Sequence, residues 1–209
     1  KMFSSIYQKY IFNIKPYILG FICRILYSRK NIIINNGFLC DSIPRIIIDK
    51  NAHLFIQKDV YFRNHVEIRA HQNSKITIYK NVKLDRGVRL LATNNSRMSI
   101  GPNTAIGLHS VFNGGDDITI GKSCLISGFV YIQTSMHKHD KDQFIKKQGF
   151  THSPIILGDD VWLGAHSTIM PNCNLKQGTI VGSNAVVTKS SNSNEILAGV
   201  PAKKINIRS

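Results

Sequence analysis

Acidic residues are scarce in this chain: 12 Asp and Glu stand against 27 Lys and Arg, a formal net charge of +15 over 209 residues. Such an excess raises the encounter rate with anionic ligands or surfaces. The cations are scattered rather than gathered in one run, and no helix-turn-helix, zinc or aromatic-platform motif accompanies them, which argues against nucleic-acid binding. Cysteine is equally sparse. The four thiols, at positions 23, 40, 124 and 173, have neither metal-ligand spacing nor the density of a disulfide framework, and they read as core thiols of a reducing compartment. Long apolar runs are missing too. The stretch from Tyr17 to Tyr27 is short, carries Arg24 and lacks a small-residue cleavage site, so no signal peptide is expected and a cytoplasmic location is. Tryptophan occurs once, at position 162.

What is present is a rhythm. From Ile155 to Val187 a bulky aliphatic residue recurs at every sixth position: Leu157, Leu163, Ile169, Leu175, Val181 and Val187. Two positions before each stands a second residue of mostly small or apolar type, giving Ile155, Val161, Ser167, Cys173, Thr179 and Ala185. A period of six matches neither an α-helix nor a plain strand. It fits short strands joined by tight corners, in which positions i and i−2 point into one interior. The same pairing runs upstream through Leu54/Ile56, Ile76/Ile78, Met98/Ile100 and Ile118/Ile120, with two further pairs after each. Hexads therefore come in threes, one coil per three flat faces, and six coils start at Ile56, Ile78, Ile100, Ile120, Leu157 and Leu175. This is the signature of a parallel β-helix.

Between coils the spacing lengthens at one point each time, so insertions are expected to leave from a single corner and to build the working face there. The longest, residues 133–154, is polar and holds three of the eight histidines. An open-ended solenoid needs covers for its strand edges. The expected organisation is a helical cap over residues 1–45, a repeat domain over 46–190 and a C-terminal cap over 191–209. Within the first segment, Ser4 to Lys30 mixes Phe, Ile, Tyr and Leu with basic residues and is interrupted by Pro16 and Gly20, which predicts two short helices. Such a segment serves either as a lid on the first coil or a neighbouring subunit, or as a peripheral contact with an anionic membrane.

The hexads LGDDVW, LGAHST, IMPNCN, LKQGTI and VGSNAV, with VVTK at 186–189 and AGVPAKKI at 198–205, resemble the left-handed β-helix acetyltransferases, nearest to the sugar O-acetyltransferases of capsule and O-antigen synthesis. The left hand of the coil comes from that resemblance alone. It implies an all-β, left-handed parallel β-helix of about six coils, acetyl-CoA as co-substrate, no metal, and a homotrimer with active sites between subunits. In such enzymes a loop histidine in a T-x-x-H setting is the general base, and Thr134-Ser135-Met136-His137 matches. An imidazole is suited to take the proton of a sugar hydroxyl and return it to the departing thiolate. His139 and His152 are rivals on the same loop, and His139 could instead orient the acceptor.

By the same resemblance Trp162 packs against pantetheine or acceptor sugar. The main-chain N–H at Gly164-Ala165 faces the thioester, with Ala165 standing where several relatives carry serine. Gly164, Ala165, Gly182, Ser183 and Thr188 line the cofactor arm, Lys189 and Lys203 meet its phosphates, and Asn113 contacts the acceptor. Taken without the resemblance, the glycines serve tight corners and an outward Trp162 suits a subunit contact. The expected function is acetyl transfer to a hydroxyl of a bacterial surface polysaccharide or its precursor. The alternatives are a small acceptor (an antibiotic, a free sugar or serine), a zinc β-helix enzyme using His109, His137 and His139, or a non-catalytic scaffold.

Overall fold

A computed structural model of the chain describes residues 7–8 and 10–209. Part of the expected helical lead, residues 4–6 and Lys9, lies outside them.

The hexad rhythm becomes three parallel sheets that share one interior. The first face stacks Ile32–Ile34, His53–Ile56, Lys75–Ile78, Arg97–Ile100, Ile118–Ile120, Ile155–Leu157 and Asn174–Leu175. The second stacks Leu39–Cys40, Tyr61–Phe62, Lys83–Leu84, Ala105–Ile106, Leu125–Ile126, Trp162–Leu163 and Ile180–Val181. The third runs from Arg45–Ile48 through Glu67–Ala70, Arg89–Ala92, Val111–Gly114, Tyr131–Gln133 and Thr168–Ile169 to Val186–Val187. Register follows the repeat: Ile34 pairs with Ile56, Ile56 with Ile78, and Leu157 with Leu175, so like residues stack in columns up the core. The result is a left-handed parallel β-helix. Every inward residue of the Ile155–Val187 stretch is buried, Ser167, Cys173 and Thr179 included.

The corners explain a second feature of the composition. Asp59, His65, Asn81, Asn103, His109, Asp160, His166 and Asn184 each stand one residue before an inward position and have φ between 52° and 59°. That left-handed conformation is tolerated by Asn, Asp and His better than by branched side chains. Phe129 takes the same conformation despite its bulk, with its ring stacked between those of His109 and His166 at 5.5 Å and 4.8 Å.

Three sequence expectations change. Seven coils are present where the repeat reading counts six. The additional coil, Ile32–Ile48, keeps the spacing through Ile34, Cys40 and Ile46, but its inward set includes Cys40 and the buried Pro44 in place of aliphatics. The lengthened steps after Ile68, Leu90 and Phe112 are not loops: the third-face strand is extended by one more inward residue (Ala70, Ala92, Gly114), and the chain turns back at once. Only 134–154 leaves the prism. The lead is a π-helical turn, Tyr10–Ile14, that runs directly into an α-helix, and Gly20 does not interrupt the latter. Pro16 sits in the first turn of that helix, α1 (Lys15–Tyr27), at the junction with the π-helical turn.

The helix α1 crosses the first coil. Gly20 lies so close to the Phe38 carbonyl that any Cβ there would collide with it. Cys23 Sγ is 3.5 Å from Cys40 Sγ, and the Tyr27 hydroxyl donates to the Pro44 carbonyl at 2.8 Å. At the far end Glu195–Gly199 adds to the second face in parallel, and Ala202–Ile207 folds back antiparallel to it. The Glu195 carboxylate accepts from the Asn192 backbone and side-chain N–H groups, which hold it below the usual carboxylate range.

Candidate active site

The loop that leaves the prism is a hairpin. Ser135–His137 pairs antiparallel with Phe150–His152, and a single 3₁₀ turn, Ile145–Lys147, lies in the connection. Its root is pinned by Thr134, which is fully buried. The Thr134 hydroxyl donates to the Asn113 carbonyl at 3.1 Å and accepts from the Asp116 N–H at 3.0 Å, while the Thr134 N–H also donates to Asn113 O. The threonine of the T-x-x-H sequence is thus a fastener between the hairpin and the preceding coil. It fixes where a residue three positions later stands.

That residue is His137, which lines a groove of about 370 Å³ on the third face together with Arg89, Asn113, Tyr131, Gln133 and Phe150. The Phe150 ring lies against the imidazole, 4.1 Å between centroids. Neither imidazole nitrogen of His137 has a hydrogen-bond partner among the described residues, so both are available to a ligand. Below it, Asn113 Nδ2 donates to the Tyr131 hydroxyl, which donates to Gln133 Oε1, both at 2.7 Å. Asn113 Oδ1 is buried without a partner among the described residues. An unsatisfied buried acceptor is a standing cost of about 1–3 kcal/mol, and here it stands in the wall of a groove. Arg89 Nε faces Glu67 Oε1 at 3.7 Å.

The rival histidines are differently placed. His152 has both ring nitrogens engaged: Asn94 Nδ2 donates to Nε2 at 2.9 Å, and Nδ1 meets Ser135 Oγ at 2.8 Å. His139 is exposed outside the groove, with Nδ1 against the His137 carbonyl at 3.1 Å. His109 is a corner residue stacked on Phe129, away from the hairpin. Among the described residues no three His, Cys, Asp or Glu side chains gather as metal ligands.

Trp162 is on another side of the prism. It points outward from the second face, 46% exposed, and its Nε1 donates to Ser127 Oγ at 3.3 Å. With the exposed Leu125 on the strand before it and Ile180 after it, it forms an apolar strip. Gly164 and Ala165 follow it at the edge between second and third faces, with Gly182 and Ser183 directly above. Gly182 approaches Ala198, which pairs with Lys203. A row of small residues ending in a cation therefore climbs this edge at about 4.8 Å per step. The Gly164 N–H is spent on the Val181 carbonyl at 2.8 Å. The Ala165 N–H has no partner among the described residues. Thr188 and Lys189 are exposed beyond the last third-face strand, Val186–Val187, at a different corner from that row.

The structure thus brings Asn113 and His137 into one groove and Trp162, Gly164, Ala165, Gly182, Ser183 and Lys203 along one edge. It leaves His139 out of both. Tyr131, Gln133, Phe150 and Arg89 join the groove without any sequence signal beyond their outward repeat or hairpin positions.

The hexad coils and the hairpin standing off one corner can be set beside known proteins of the same repeat. Residues 154–189 match the bacterial transferase hexapeptide (six repeats) family. WbbJ of Escherichia coli K12, named as an O-acetyl transferase of lipopolysaccharide biosynthesis, is 34% identical over 98 residues, covering 43% of this chain and 50% of its own length. The galactoside O-acetyltransferase of the same organism is 33% identical over 89 residues, 42% of this chain and 43% of that protein. The chain spans about half the length of the curated relatives it matches. Among solved structures the polySia-specific acetyltransferase NeuO superposes with a TM-score of 0.71 at 26% identity, covering 88% of this chain and 83% of that one.

Proposed function

We propose that the protein transfers an acetyl group from acetyl-CoA to a hydroxyl of a bacterial surface polysaccharide or its precursor, with His137 as general base, in sites formed between the subunits of a homotrimer. The observation that carries this reading is an unpartnered imidazole in a polar groove. His137 offers imidazole nitrogens that no described residue holds, in a groove whose wall also carries Asn113, Tyr131 and Gln133. A sugar hydroxyl can donate its proton to the free imidazole nitrogen. The surface-glycan acceptor is supported by relatives named for lipopolysaccharide biosynthesis and for polySia.

Acetyl-CoA, as second substrate, supplies an acyl group activated as a thioester. His137 takes the proton of the acceptor hydroxyl as its oxygen attacks the acyl carbon, then gives that proton to the departing thiolate sulfur. The free Ala165 N–H is suited to the carbonyl oxygen as negative charge develops on it. The row from Gly164 to Ala198 leaves room for an extended arm, and Lys203 offers a point charge for phosphate.

Asn113 and His137 belong to the third face, whereas Trp162 belongs to the second, so one chain alone does not enclose a ligand between them. The apolar strip at Trp162 would be covered when a neighbouring copy brings its third face alongside, which supports sites shared between copies. The test is incubation with acetyl-CoA and a panel of surface glycans, read by mass spectrometry. The wild type gives a mass gain of one acetyl on at least one glycan. The His137→Ala variant loses about 10²–10⁴-fold in kcat with unchanged circular dichroism and acetyl-CoA affinity. Retention of most activity would remove His137 from the base role.

A further inference from the structure

We infer that the N-terminal end of the prism is a docking face for an anionic lipid bilayer. This goes beyond the transfer reaction and does not depend on it. The helix α1 presents Pro16, Gly20 and Cys23 to the first coil and buries them. Its other side carries two adjacent rows at i, i+4 spacing. Ile18, Ile22 and Leu26 form one, continued by Ile14 from the π-helical turn Tyr10–Ile14 just before α1, and Tyr17, Phe21 and Ile25 form the other; all seven are 37–66% exposed. A helix side of exposed apolar residues calls for an apolar surrounding, and a continuous apolar patch of this size marks an interaction site. The helix spans 13 residues, about 20 Å, directly after the π-helical turn Tyr10–Ile14; no helix among the described residues is long and apolar enough to cross a bilayer, and this one is long enough to lie in its surface.

Charge selects the occupant. Residues 1–40 contain six Lys and Arg (Lys1, Lys9, Lys15, Arg24, Arg29, Lys30) and no Asp or Glu; the first acid is Asp41. Arg29, Lys30 and Lys50 also surround a depression at this end of the molecule, beside the end of α1. A second copy laid on this face would bring like charges together. Anionic headgroups would meet the cations while the acyl boundary takes the two apolar rows.

The experiment is co-sedimentation of the full chain with vesicles of phosphatidylcholine alone and of phosphatidylcholine mixed with phosphatidylglycerol, at low and high salt. The wild type should pellet with the mixed vesicles and be released by salt. A Phe21→Glu/Ile25→Glu variant, altered only at exposed positions, should keep its circular dichroism and lose about tenfold or more in partitioning. Equal partitioning of variant and wild type overturns the inference, as does equal binding to the uncharged vesicles. So does failure to bind any vesicle, whether or not the wild type then elutes as a larger particle that the variant breaks up, the result expected if a second copy covers the face.

Discussion

Gly164 can be read as a ligand contact or as a corner residue, and the geometry around it separates the two. A Cβ built there would lie 2.6 Å from the Ser183 nitrogen and 2.8 Å from the Val181 carbonyl oxygen, both backbone atoms of the next coil. Neither can yield without opening the stack. Gly164→Ala should therefore destabilise the fold by about 1–3 kcal/mol, measured as a lower denaturation midpoint, before any effect on cofactor is considered. Gly182, in the same row, is the control: its backbone is outside the left-handed region and a Cβ there would meet nothing nearer than 3.4 Å. At this scale the inward residues were legible because positions i and i−2 share one chemistry, and His137 was legible through its T-x-x-H setting. Tyr131, Gln133 and Arg89 were not. Outward positions carry no periodic constraint, and Asn113 meets Tyr131 only because the register stacks Val111 on Tyr131, which makes the two outward side chains diagonal neighbours on successive coils.

The hairpin is the element that turns a β-helix into a site, and its rigidity depends on few contacts. Thr134 ties its root, and His152 ties its return strand to Ser135 and, across the corner, to Asn94. His152→Ala leaves the groove lining intact and frees the strand opposite His137. Since misplacement by about 1 Å can cost a hundredfold, kcat should fall by about tenfold or more with acetyl-CoA affinity retained. His139→Ala, which removes only a contact to a carbonyl of the exposed hairpin, should stay within about threefold of the wild type. Steady-state kinetics on the two variants separates positioning from mere proximity in sequence. The sequence marked 133–154 as a departure from the repeat, but not as a hairpin. The strand pairing sets Ser135 opposite His152 across a long connection, and no short turn dipeptide announces it. The first coil went unread for a related reason: Cys40 and Pro44 fill inward positions that the aliphatic rhythm does not include.

For the whole molecule, the separation of the two functional strips makes the proposed assembly testable without a structure of it. If a site takes His137 from one copy and Trp162 with the Ala165 edge from the next, then two variants, each inactive alone, can complement. His137→Ala keeps an intact second face, and Trp162→Ala keeps an intact third face. In a randomly mixed trimer each site joins two neighbours, and half of the copies are competent on each side, so about a quarter of the sites are restored. Unfolding and refolding the two variants together should return activity toward that fraction, while each refolded alone stays inactive. Activity no greater than the sum of the separate variants would mean that each chain closes its own site. The hairpin would then have to swing from the third face to the second, a movement opposed by the Thr134 fastening and the His152 tie.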